Sequence, residues 1–215
     1  MASRIVVLIS GSGSNLQALI DSASTSSLPS SRIVHVVSNR KAAYGLTRAA
    51  SSTPPIPTSY HGFPPYKTSH PSDPRAAYDA DLAKRILELP EDQYPDLIVC
   101  AGWMHILSPN FLDPISEAGI PIINLHPALP GAFDGAGAIE RAWEAFSKGE
   151  ITETGVMIHY VIKEVDRGEP LVVKKVEMKA GESVEELTAR IHDIEHVAIV
   201  EGAKLALEKK NSGCL

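Results

Sequence analysis

Two periods of apolar residues alternate along the chain. Continuous runs at Arg4 to Ile9 (R-I-V-V-L-I), Arg32 to Ser38 (R-I-V-H-V-V-S) and Leu97 to Ala101 (L-I-V-C-A) predict strands covered on both faces. The short run at Ile122 is another. Between them the spacing becomes helical. Leu16, Leu19 and Ile20 share one face, and Tyr44 to Ser52 reads as a short helix. Asp73-Pro74 opens a helix to about Leu89 with Ala77, Leu82, Ile86 and Leu87 inward, and Ser108-Pro109 starts a short one. Ala138 to Lys148 is helical and closed by Gly149, with Trp143 on its core side beside Ile139, Ala142 and Phe146.

From Thr154 the pattern becomes V-M-I-H-Y-V-I, a charged K-E-V-D-R-G-E-P connection, then L-V-V-K-K-V-E-M, an antiparallel pair. Ser183 to Glu186 (S-V-E-E) is a capping box opening a long helix to about Glu208, with a frayed tail over 210–215. Thr53 to Pro74 holds seven of the sixteen prolines, so it predicts a surface loop with at most one short edge strand. The order implies an α/β fold. Its open mixed sheet is parallel and Rossmann-like in the N-terminal part and antiparallel at the C-terminal edge, with helices on both faces. One domain over 1–215 is expected, its halves meeting near residue 120.

Composition narrows the chemistry. With 44% hydrophobic and 21% charged residues over 215 positions, the chain can build a sizeable core. A net charge of −6 gives no basic field for a nucleic-acid backbone, so any anionic ligand must be held by local geometry. Cys100 and Cys214 make no disulfide framework and fit a reducing compartment. No apolar run is long enough to span a membrane, and the first strand leaves no room for a targeting peptide. A cytoplasmic setting is the expectation, without nucleic-acid or membrane partners.

Two stretches carry candidate chemistry. In I-I-N-L-H-P-A-L-P-G, Ile122 to Gly131, Asn124 and His126 lie two apart at a strand end, and Pro127 keeps His126 extended. An amide and an imidazole side by side suit a carbonyl under attack: one donates to the developing oxyanion, and the other handles protons. Either residue alone reads more simply as a turn or structural side chain. Ser10-Gly11-Ser12-Gly13-Ser14-Asn15, between strand and helix, is the arrangement in which backbone N–H groups cradle a phosphate. It is a poor dinucleotide fingerprint, because Leu16 stands where a third glycine belongs, and a plain capped turn explains it equally well. His159 alternates within its strand and reads as structural. His192 and His196 lie four apart on a helix without a third ligand, so no metal is expected.

Four segments in order resemble the phosphoribosylglycinamide formyltransferases, the folate-dependent enzymes of purine synthesis. They are V-L-I-S-G-S-G-S-N-L-Q-A-L-I-D, A-G-W-M-H-I-L-S-P, I-I-N-L-H-P-A-L-P-G and T-G-V-M-I-H-Y-V-I-K-E-V-D-R-G-E-P. The resemblance runs from about Arg4 to Leu207, and the third motif with the proline-rich insertion suggests the fungal branch. It implies the formyltransferase fold, with a phosphate-binding half to about residue 120 and a catalytic half to about 209. The implied reaction passes the formyl group of the cosubstrate 10-formyltetrahydrofolate to the amine of glycinamide ribonucleotide, without a metal, in a monomer or weak homodimer. It also implies Asn124, His126 and Asp166 as catalytic residues, Gly13, Ser14 and Asn15 at the phosphate, and Glu195 at the ribonucleotide. Arg75, Met104, His105, Ile106, Leu107 and Asn124 fall on the folate side.

Asp166 alone reads as a solvated turn residue, and only the company of the other motifs promotes it. His105 stands where many relatives carry Arg, and Gly137 where bacterial relatives carry a histidine. Alternatives are a formyltransferase for another amine or a formyltetrahydrofolate hydrolase. A nucleotide-binding dehydrogenase rests only on Gly11 and Gly13, and a non-catalytic relative would not need Asn124, His126 and Asp166 together.

Overall fold

The computed structural model describes residues 2–213. In chain order the elements are β1 (Ser3–Ile9), α1 (Ser14–Ser22), β2 (Ser31–Ser38), α2 (Tyr44–Ala50), β3 (Thr58–Tyr60), α3 (Pro64–Ser69) and α4 (Pro74–Leu87). They continue with β4 (Leu97–Cys100), α5 (Pro109–Glu117), β5 (Ile122–His126), α6 (Ala138–Ser147), β6 (Glu153–Tyr160), β7 (Pro170–Glu177) and α7 (Val184–Asn211). The strands form one seven-stranded sheet in the order β3-β2-β1-β4-β5-β6-β7. Pairing is parallel from β3 to β5 and antiparallel from β5 to β7, as the sequence pattern implies.

The continuous apolar runs are explained by two cores. Ile5, Val7 and Ile9 of β1 pack with Leu16 and Leu19 of α1 and Leu187, Ile191 and Ala198 of α7. Val6 and Leu8 face the other way, onto Tyr78, Leu82 and Ile86 of α4 and Phe111 and Ile115 of α5. A strand covered on both faces has no polar position to alternate with. The order reverses between β1 and β4, so the loops after these strands border the crevice where open α/β sheets bind ligands. The Met104 N–H donates to Ser10 Oγ at 2.7 Å and ties the two loops together. Among the described residues no helix is long and apolar enough to cross a membrane.

Several expectations are corrected. The proline-rich stretch is not all loop. It holds the edge strand β3 and also α3, whose Pro64 and Pro65 fall in the first turn, where a missing N–H costs nothing. In α4, Ala77 and Leu87 sit at the rim, while Tyr78, Asp79 and Ala83 are buried with Leu82 and Ile86. The closing helix takes in the first two residues, Lys210 and Asn211, of the tail expected to fray, and Lys210 Nζ donates to the Asp96 carbonyl at 2.9 Å. Cys214 lies outside the described residues.

Gly13 fixes the position of the loop after β1. Its φ is +71°, and a Cβ there would lie 2.6 Å from Gly45 Cα, so the starts of α1 and α2 touch backbone to backbone. Gly13→Ala is therefore expected to lower the unfolding free energy by about 1–3 kcal/mol. Urea denaturation checks this, and an unchanged midpoint would mean the loop relaxes without strain.

Candidate active site

β5 carries both residues of the N-L-H motif inside the strand, not after it. Ile122, Asn124 and His126 share one face, while Ile123 and Leu125 pack into the α1/α7 core. Antiparallel pairing sets His159 of β6 opposite Asn124 and Met157 opposite His126. The connection from β6 to β7 leaves at Tyr160 and folds back, bringing Asp166 over these residues. Asp166 holds φ +56°, a left-handed turn that aims its carboxylate at the strand.

Four groups converge on that carboxylate. Oδ2 accepts from the Gly135 N–H at 2.7 Å and lies 3.4 Å from His126 Nδ1. Oδ1 lies 3.4 Å from Asn124 Nδ2 and 3.5 Å from His159 Nε2. Burial pushes the Asp166 carboxyl up. The bonds from His159 and Gly135, with the charges of His126 and His159, outweigh that and hold it below the usual carboxylate range.

The rings have defined partners. His126 Nε2 donates to the Ala132 carbonyl at 3.1 Å, so both its nitrogens face acceptors. His159 Nδ1 donates to the Tyr160 carbonyl at 2.8 Å, and its Nε2 lies 3.2 Å from Asn124 Nδ2 as well as 3.5 Å from Asp166 Oδ1. His159 is thus part of the cluster, contrary to its reading as a structural residue. Both rings are almost wholly buried, at 3% exposure for His126 and 2% for His159. Alternation in V-M-I-H-Y gives the face of His159, but only the β5–β6 register says what stands opposite.

The loop after β1 ends in α1, whose first turn presents N–H groups without intrahelical partners. Ser14 is half-buried there. Asn15 is turned inward, where its Nδ2 donates to Glu195 Oε2 of α7 at 3.0 Å. The Asn15 side-chain donor is therefore engaged, and the open donors at this end of α1 are backbone N–H groups and serine hydroxyls. Burial raises the Glu195 carboxyl above its ordinary value, with the Asn15 bond and the charges of His192 and His196 only partly offsetting it.

The segment after β4 exposes Met104 and Ile106, at 68% and 57%, and buries Leu107. His105 points the other way. Its ring packs among Tyr78, Phe63 and Trp103, and Nε2 sits 3.0 Å from Asp79 Oδ1. Its side chain is thus a support for the segment, and the exposed surface belongs to Met104 and Ile106. Asp79 is fully buried and also accepts from the Ser108 N–H at 2.9 Å. Burial pushes this carboxyl up, and the His105 and Ser108 bonds carry it below its ordinary value. Arg75 Nε lies 3.6 Å from Asp79, and Nη2 donates to the Ile106 carbonyl.

Comparison with known proteins places this arrangement. The profile of the family described as Formyl transferase matches residues 3–202. The phosphoribosylglycinamide formyltransferase of Schizosaccharomyces pombe is 53% identical over 203 residues, 94% of this chain and 95% of that one. Its counterpart in Saccharomyces cerevisiae is 48% identical over 217 residues, covering 96% and 98%. Among solved structures, glycinamide ribonucleotide transformylase 1 from Symbiobacterium toebii superposes with a TM-score of 0.81 at 34% identity, covering 96% of this chain and 88% of that one.

A carboxyl held below its ordinary value stabilises the fold fully above its unfolded value, about 3.9, and loses that contribution as pH falls through the native one. The stability gap between the parent and Asp166→Asn is therefore expected to close as pH drops below about 4. Urea unfolding at stepped pH measures it, and a gap constant with pH would contradict the assigned bonds.

Proposed function

The chain belongs to the formyl transferase family, and from that premise we propose that it passes the formyl group of 10-formyltetrahydrofolate to the amine of 5-phosphoribosylglycinamide, a step of de novo purine synthesis. One observation carries the reading. Asn124 and His126 of β5 each lie 3.4 Å from Asp166, which the β6–β7 connection brings in from 42 residues beyond Asn124.

The neutral amine attacks the formyl carbon, and the carbonyl electrons move onto oxygen. His126 and Asn124 donate to that oxyanion from fixed positions, where preorganised N–H groups act most strongly. The His126 Nε2–H, which donates to the Ala132 carbonyl here, is the donor the oxyanion takes over. Asp166 holds the His126 ring in place and, through a water, accepts the proton that the attacking amine sheds. Collapse breaks the bond to folate N10, which leaves with the proton that Asp166 took from the amine, returned through the same water, so the carboxylate is regenerated. His159 sets its Nε2 against both the Asn124 amide and the Asp166 carboxylate and so helps hold the two in place.

Gly13, Ser14 and Asn15 serve the substrate phosphate through the α1 N-terminus, with Asn15 acting through its backbone and its hold on Glu195. Glu195 lies on the ribonucleotide side. Exposed Met104 and Ile106, with Leu107, line the folate side, supported by His105 and Arg75. The acidic chain needs no basic surface for either ligand, since helix termini and backbone donors supply the field. The protein acts on small molecules as one formyltransferase unit in the cytoplasm, as a monomer or weak homodimer, without a metal.

A panel of amine acceptors offered with 10-formyltetrahydrofolate is expected to give product only with 5-phosphoribosylglycinamide. Turnover confined to another amine, or hydrolysis alone, would overturn the reading. His126→Ala is expected to cut kcat/KM by about 10²–10⁴ with an unchanged circular dichroism spectrum. A near-parental rate would remove His126 from the chemistry.

A further inference from the structure

The segment between β5 and α6 crosses over the catalytic cluster and touches it at two points. The Gly135 N–H donates to Asp166 Oδ2, and the Ala132 carbonyl accepts from His126. Its backbone is left-handed at Gly131, Phe133, Gly135 and Gly137. Such a chain has no ladder or helix bonds to hold it. Side chains do so instead, and one of them makes most of the contacts. Arg141, one turn into α6, places Nη2 at 2.6 Å from the Phe133 carbonyl, 2.8 Å from Asp134 and 2.9 Å from Ala136. Its Nε donates to the Gly137 carbonyl at 3.3 Å, and its guanidinium lies over the Phe133 ring.

We propose that Arg141 is a positioning residue for the reaction, whose guanidinium gathers the loop carbonyls so that the Gly135 N–H stays on Asp166. The inference rests on the part given to Asp166 above. Nη2 meets the carbonyls of Phe133, Asp134 and Ala136 while Nε holds that of Gly137, two positions on one planar group that a single ammonium cannot occupy at once. The loop has one further anchor, Arg167 Nε to Asp134 Oδ2 at 2.7 Å, which fixes its outer edge and not its inner face.

The groups facing Asp166 are Asn124 and His126 from β5, His159 from β6 and the Gly135 N–H from the loop. Arg167 is turned away, onto Asp134. Of these, only the Gly135 N–H depends on Arg141. Without the clamp that donor withdraws, the ionised carboxylate loses a bond, and Asp166 titrates higher.

The test compares the full-length parent with Arg141→Met and Arg141→Lys by carbon NMR titration of the aspartate carboxyls, alongside kcat/KM against pH. In both variants Asp166 is expected to titrate about one pH unit higher, and the acid limb of the rate profile to move the same way. Amide exchange at Gly135 is expected to quicken while the global unfolding midpoint stays near the parent's. Arg141 lies on an exposed helix face, and Arg141→Lys keeps charge and helix propensity, so it carries the test if the Met variant folds poorly. An Asp166 titration unmoved in the folded variants overturns the proposal. A titration that moves without the rate profile leaves the clamp standing and removes Asp166 from the proton transfers.

Discussion

A single buried carboxylate organises this molecule. Asp166 cannot remain ionised away from water unless donors surround it, and a buried charge without them would take up a proton or unfold its setting. Four donors or partial charges do surround it, drawn from β5, β6 and the loop before α6. No local sequence supplies them. The sheet must therefore be assembled, in register, before the site exists at all.

The change from parallel to antiparallel pairing is what makes that assembly possible. A parallel β6 would bring its own start beside the start of β5 and change which of its residues stands across from Asn124. Running antiparallel, β6 sets His159 directly across from Asn124, on the same face. The connection to β7 then leaves at Tyr160 and doubles back over that face. A Cβ on Gly168 would fall 1.7 Å from the Tyr160 carbonyl, so the return is as tight as backbone allows. The left-handed turn at Asp166 completes the reversal.

Much of the fold was legible because covered strands and amphipathic helices announce themselves by period. Asn124 and His126 were legible too, being two apart on one strand. Asp166 was not: in D-R-G it has the chemistry of any turn, and only resemblance to a family singled it out. His159 was hidden because alternation gives a face but not the partner strand. His105 was misleading for a related reason. Its partner Asp79 lies on α4, 26 residues earlier in the chain, and nothing nearby reveals that the ring turns inward. The helix α3 was masked by prolines that usually break structure but here sit in its first turn.

Three carboxylates, buried Asp79 and Glu195 and the largely shielded Asp166, recur as anchors beside three different loops. Each uses a different balance. Asp79 and Asp166 accept backbone N–H groups and face histidines, and both are held below the ordinary range. Glu195 has one neutral amide as its hydrogen-bond donor, and burial prevails there, raising it. The difference follows from the number and charge of the donors, since a neutral amide offsets less desolvation than an N–H combined with an imidazole. An acidic protein that handles an anionic substrate must keep such groups from repelling it. Turning each carboxylate inward onto fixed donors does so, and leaves the backbone N–H groups of α1 as the field open to an anion.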